Sequence, residues 1–103
     1  MLKIVALWTK PDDVSGFEAD YFGNHLRIAS SLPGLQDLVV SKAVGDGPYW
    51  RVTELVFDSM NDLVAVGATD ESRLLAEDVE RLQKEYGNRN DLVFVEVEDR
   101  PTG

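Results

Sequence analysis

The sequence predicts an α+β domain of the ferredoxin-like, split-βαβ kind: a four-stranded antiparallel sheet with its helices on one face. Three observations carry this reading. Short runs rich in Val, Leu and aromatic residues alternate with stretches of helical periodicity in the order β-α-β-β-α-β. Gly45-Asp46-Gly47-Pro48 lies between the second and third runs, where a hairpin needs turn chemistry. A chain of 103 residues, 44% of them apolar, can build one core and therefore one domain.

Residues 2–9 read as a strand that is apolar on both faces, with Leu2, Ile4, Ala6 and Trp8 on one and Val5 and Leu7 on the other. Pro11-Asp12-Asp13 breaks it. Ser15 and Glu18 have the spacing of a capping box, which opens a helix running to about Ser31. Its buried stripe is Phe17, Tyr21, Phe22, His25, Leu26, Ile28, Ala29 and Leu32, and Pro33-Gly34 stops it. Residues 36–44 and 49–57 form the hairpin strands. Ser59 caps a short helix through about Ala68. After Thr69-Asp70 a second helical stretch continues to Tyr86, ended by Gly87-Asn88. Leu74, Leu75, Val79 and Leu82 are its apolar stripe, and the acidic run Glu77-Asp78-x-Glu80 reads as a solvated face. Residues 91–97 are the last strand. The domain thus occupies 1–99, with 100–103 as a flexible tail.

Helices on one face leave the other face of the sheet open. The first strand is apolar on both faces, the third sets Trp50, Val52 and Val56 on the open side against Leu55 and Phe57, and the fourth sets Val93, Val95 and Val97 opposite Leu92 and Phe94, so that face would be apolar. A patch of this size on a monomer calls for a cover, and a second copy packed sheet against sheet supplies one. A homodimer through the open face is expected.

Composition excludes several functions. Nineteen acidic residues against ten basic ones give a formal net charge of −9, a field that repels nucleic acid and anionic membranes. With no cysteine there is no disulfide, no Cys-ligated metal or iron–sulfur cluster and no thiol nucleophile. One histidine without a carboxylate at metal-binding spacing argues against a metal site, and no motif implies a cofactor. The apolar run from Ile4 to Trp8 is too short for a secretory leader or a bilayer span, so a cytoplasmic protein is expected.

Phe17-x3-Tyr21-Phe22-x2-His25-Leu26, Leu32-Pro33-Gly34-Leu35 and Arg51-x2-Glu54-Leu55-x-Phe57-Asp58-Ser59, followed by Asp78-Val79 to Leu82, resemble the EthD family in order and over nearly the whole chain. The family takes its name from a protein encoded beside an ethyl tert-butyl ether degradation system. The resemblance implies the dimeric α+β barrel superfamily, and so a homodimer. Characterised members and relatives include methylmuconolactone methylisomerase, fungal polyketide dehydratases or decarboxylases, and cofactor-free monooxygenases of aromatic polyketides. What they share implies proton transfer on, or oxygenation of, a small cyclic or aromatic molecule held in each subunit. The helix-one histidine carried over is His25. The methylisomerase's site cysteine has no counterpart here, which sets that particular reaction aside.

His25 is the first candidate for catalysis, since imidazole alone among side chains exchanges protons near neutral pH unaided. The competing reading is a histidine packed on the stripe with its nitrogens satisfied by backbone. Strand alternation puts Glu54 with Trp50, Val52 and Val56, where a carboxylate needs a partner: His25, Arg51 or a tyrosine for a catalytic role, or an ion pair across the dimer. Tyr21 is either an oxyanion donor or a core tyrosine with a satisfied hydroxyl. Trp8, Phe17, Phe22 and Trp50 either wall a binding pocket for an aromatic molecule or simply fill the core. The expectation is a small cofactor-independent enzyme performing isomerase, dehydratase or lyase-like chemistry on a small apolar or aromatic metabolite. The alternatives are a non-catalytic accessory or small-molecule-binding protein of a degradation pathway, and a cofactor-free monooxygenase. An enclosed pocket with His25 and Glu54 both reaching its wall favours an enzyme, and a filled barrel with His25 bonded only to backbone favours the accessory role.

Overall fold

The most apolar strand takes the most buried place. β1 (Leu2–Thr9) lies at the centre of the sheet, between β3 (Tyr49–Phe57) and β4 (Asn90–Glu96), and β2 (Asp37–Lys42) flanks β3. The order is β2-β3-β1-β4 and every pairing is antiparallel, as the split-βαβ reading requires. This computed structural model describes residues 1–102. Of the expected tail, Pro101 and Thr102 form a turn, and Gly103 lies outside the described residues.

Register decides which side chains meet the helices. Leu2, Ile4 and Ala6 stand opposite Phe57, Leu55 and Thr53 of β3, while Ile4, Ala6 and Trp8 stand opposite Phe94, Leu92 and Asn90 of β4. These residues share one face, and Leu2, Ala6, Trp8, Thr53, Leu55 and Phe57 are buried there. The opposite face carries Val5, Leu7, Val39, Val52 and Val93, of which Val39 and Val93 are exposed. A bulge sits where β1 steps from Trp8 to Thr9 while β3 steps from Arg51 to Tyr49. Trp50 is the extra residue. The bulge turns it away from the open face, where alternation had placed it, onto the cluster around Trp8.

The first helical stretch is one continuous rod of three segments, not one uniform helix: α1 (Val14–Asp20), a π-helical turn (Tyr21–His25) and α2 (Leu26–Ser30). Its N-cap is Asp13 rather than Ser15. Asp13 has extended backbone, so its Oδ1 reaches the third helical N–H and accepts from Gly16 N at 3.0 Å. Ser59 caps α3 (Met60–Val66) and Thr69 caps α4 (Asp70–Tyr86), each accepting at 3.2 Å from the N–H three residues on. Asp70 and Glu71 in the first turn of α4 and Lys84 in its last complement the helix dipole. Gly87, with φ of 63°, ends it in the left-handed conformation that glycine adopts freely. Among the described residues no helix is long and apolar enough to cross a membrane.

The core forms as two clusters. Ala29, Leu32, Leu55, Phe57 and Val66 pack at one end; Trp8, Phe17, Tyr21 and Leu82 pack at the other. A cavity of about 260 Å³ is lined by Ala29, Leu55 and Val66 of the first cluster, and by His25 and Val79 beside the second.

Candidate functional site

The π-helical turn is what places the histidine. Phe17, Tyr21, His25 and Ala29 are all buried at spacings of four. At 3.6 residues per turn, four residues overshoot a full circle by about 40°, so such a stripe drifts off its face. One wider turn takes up the drift. Phe17 therefore stacks on Tyr21 at 5.4 Å and Tyr21 on His25 at 5.8 Å, with ring planes within 18° of parallel. Trp8 lies edge-on to the imidazole at 5.3 Å and edge-on to Tyr21 at 6.2 Å, so the three rings pack as one group.

Across from it, α4 supplies the partner. His25 Nδ1 lies 2.7 Å from Asp78 Oδ2, both residues being buried at 4% and 7% exposure. Arg81 Nε donates to the other oxygen of Asp78 at 2.8 Å, and its guanidinium forks onto Asp20 at 2.6 and 2.8 Å. Tyr86 Oη donates to Asp20 at 2.8 Å. An Asp78 carboxylate so held accepts from Nδ1–H, which fixes the tautomer and leaves the Nε2 lone pair free of protein partners among the described residues. Burial pushes the His25 pKa below its ordinary value, against the opposing hydrogen bond and charge of Asp78. The imidazole is then neutral at neutral pH, as a base must be. Arg81 holds the Asp20 carboxyl below the usual range, while burial and then Asp20 push Tyr86 up to about 12.

The cavity this base faces is mostly apolar, with Ile4, Leu55, Leu75 and Val79 among its walls. Leu92 and Phe94 also line it and are themselves exposed, so it opens beside β4. Its polar side chains are His25, Thr53, Ser72 and Asn90. Among the described residues no three of His, Asp or Glu converge as a metal site.

Glu54 does not meet His25. It pairs with Val5 across the strands, on the face away from the helices, and its carboxylate takes the Lys3 ammonium at 3.2 Å. Tyr21 stays behind the cavity wall: its hydroxyl bonds the hydroxyl of Thr53, and Thr53 is the one that lines the cavity. Trp8 and Phe17 are fully buried core. Phe22 is 49% exposed on the outside of the rod, where the Arg51 guanidinium covers its ring at 4.8 Å and is itself held by Glu18. Trp50 is half-buried with the Lys42 ammonium at 4.5 Å. None of the four aromatics lines the cavity.

The residue that sequence reasoning missed is Asp78, taken with Glu77 and Glu80 for a solvated face. The signal was present. Asp78 lies three residues after Leu75 and four before Leu82, so it shares their stripe, whereas Glu77 and Glu80 do not.

No protein-family model matches the sequence, and no curated protein matches it. Solved structures do. An EthD family protein from Bacillus halodurans C-125 superposes with a TM-score of 0.86 at 25% identity, covering 95% of this chain and 99% of that one. The fold is that of an EthD family protein. Two further neighbours share this EthD-like fold. SnoaB, a cofactor-independent oxygenase from Streptomyces nogalater, matches with a TM-score of 0.72 at 12% identity, over 99% of this chain and 97% of its own. A dimeric protein of unknown function with a ferredoxin-like fold from Bacteroides fragilis matches with a TM-score of 0.62 at 14% identity, over 93% and 95%.

Two consequences of the pair can be measured. Because the folded protein holds His25 less basic than the unfolded chain does, the unfolded chain binds the extra proton first. Stability is therefore full above about pH 6.5 and falls as pH drops from there toward the folded-state value. Urea midpoints taken at pH 7.5 and 5.5 should show this fall, and His25→Gln should flatten it. Asp78→Ala leaves a buried N–H without an acceptor and should cost roughly 2 kcal/mol, against under about 0.5 kcal/mol for Asp70→Ala on the exposed start of α4, both read by urea denaturation.

Proposed function

We propose that this protein is a small enzyme that moves protons on a compact, mostly apolar molecule, with His25 as the acid/base and no cofactor in the chemistry. One observation carries the reading: a buried imidazole, oriented by a carboxylate, on the wall of an apolar cavity that opens to solvent. Nε2 takes a proton from the bound molecule. The imidazolium so formed lies against Asp78, whose charge stabilises it in surroundings that contain little water. Returning the proton to a different carbon completes an isomerisation, and giving it to a departing hydroxyl completes a dehydration. Tyr21 acts behind the wall as a positioning residue, its hydroxyl bonded to that of the cavity-lining Thr53. Of the two residues the enzyme reading called for on the pocket wall, His25 lines the cavity and Glu54 does not; the open cavity and the Asp78 partner, in place of a filled interior and a backbone bond, support the enzyme over the accessory role.

A second reading has support from the SnoaB likeness. The same proton removal from an activated aromatic leaves an electron-rich anion that can react with dioxygen. Oxygen consumption tells the two apart.

Glu54 and Lys3 belong in this proposal to the open sheet face. The apolar residues around them fit a second copy packed sheet against sheet, as does the likeness to a protein described as dimeric. The cysteine-free sequence suits a reducing compartment, and the cytoplasm is the proposed location.

Deuterium uptake from D2O into a panel of small carbon acids, followed by proton NMR, tests the chemistry. His25→Ala should lower the protein-catalysed exchange by about 100-fold or more, and exchange persisting within a few-fold in a folded variant would remove His25 from the mechanism. Light-scattering mass at micromolar concentration should give twice the chain mass, and a monomer there would contradict the dimer.

A further inference from the structure

Arg81 reaches two carboxylates on two different elements. Its Nε donates to Asp78 Oδ1 at 2.8 Å, while Nη1 and Nη2 donate to the two oxygens of Asp20 at 2.8 and 2.6 Å. Asp78 lies three residues back on α4, whereas Asp20 ends α1, directly before the π-helical turn that carries His25. A third contact, Nη1 to Glu85 at 2.7 Å, lies on the exposed side of α4. Asp78 gives one oxygen to His25 and the other to Arg81, so a single carboxyl group separates the imidazole from a guanidinium.

That arrangement bears on the ring. An ionised carboxylate beside a histidine favours the imidazolium, which has no lone pair to offer. Asp78 acting alone would orient the base and charge it at the same time. The cation on its second oxygen opposes the charging and leaves the hydrogen bond to Nδ1 in place. Hydrogen bonds from Asp20 and then Asp78 hold Arg81 above its ordinary value, so it is a permanent cation. Among the described residues the charges acting on His25 are Asp78, Arg81 and Asp20. From the other elements the ring meets only uncharged groups: Tyr21 on its own rod, Trp8 of β1, and the cavity-lining Thr53 of β3. Burial lowers the pKa of His25 most, and Arg81 acts in the same direction.

We infer that Arg81 is a positioning residue of the site, its cation offsetting Asp78 so that the carboxylate orients the imidazole without keeping a second proton on it. The effect on the ring stands on the geometry; its use in catalysis rests on the proposed proton transfer. In that use, Asp78 steadies the imidazolium while it holds the proton taken from the bound molecule. Arg81 keeps that support weak enough for the proton to leave again. Asp20 sets the balance from the other side, because it draws the same guanidinium toward the rod and adds a negative charge of its own.

Nitrogen-15 NMR of the single histidine, taken through pH with no ligand present, reads the midpoint of its protonation in the wild-type protein, Arg81→Gln and Asp20→Asn. Arg81→Gln takes the cation from Asp78 and should move the midpoint up by about one pH unit. Asp20→Asn removes a negative charge and leaves the cation to Asp78, so the midpoint should fall. A residue that only braced α4 against the rod would behave otherwise: both substitutions cut the same bridge and would shift the ring alike. A rise with Arg81→Gln and a fall with Asp20→Asn sustain the inference; no rise in the first or no fall in the second overturns it. If Arg81→Gln does not fold, Asp20→Asn decides alone by the same criterion. The midpoints are read without turnover, so they are independent of the deuterium experiment. If exchange proves not to need His25 while the midpoints still part, the proton-transfer reading fails and the influence of Arg81 on the ring stands.

Discussion

The hydrogen bond between His25 and Asp78 is the constraint around which this fold is organised. It joins the first helical rod to the last helix through two side chains with almost no exposure to water. Either group alone in that place would be expensive, because desolvation penalises a charge and an unpaired donor alike. Together, and with Arg81 on the second Asp78 oxygen, they satisfy one another. Arg81 in turn needs Asp20, and Asp20 receives Tyr86, so the pair is the buried end of a chain of polar contacts reaching toward the exposed side of α4. The π-helical turn, the Tyr21 stack and the edge of Trp8 all serve the same end, holding one imidazole in one plane.

That constraint also accounts for the divided core. Where the sheet and helices of a small domain would ordinarily meet in one continuous packing, two clusters stand apart and the histidine looks into the space between them. Closing that space would bury the free imidazole nitrogen without a partner. Polar groups facing an apolar cavity are a stability cost that a purely structural core would avoid, and such costs concentrate where a site must be ready for a ligand.

Most of the fold was legible because its signals are local. Alternation gave the strands, Gly87 and Pro33-Gly34 gave helix stops, and the apolar open face followed from counting helices against strands. Two of the local misreadings have plain local causes. Asp13 displaced Ser15 as the cap because its extended backbone put an oxygen over the Gly16 N–H, and the bulge opposite Trp8 moved Trp50 from one face to the other. The site was legible only in part. His25 was identifiable because it is alone, but its carboxylate was sought on a strand, in Glu54, when it lay on a helix, in Asp78. Tertiary pairing decided between the two, and no rule of alternation reports which helix faces which. Asp78 was hidden by its acidic neighbours although its own spacing placed it among leucines.

The proposed chemistry depends on a neutral His25 with its proton on Nδ1 and its lone pair on Nε2. Nitrogen-15 NMR of the single histidine across the pH range measures both directly. The Nδ1–H tautomer at pH 7, with protonation setting in only below pH 6.5, is the expected result. A proton on Nε2, or an imidazolium persisting at pH 7, would rule out His25 as that base.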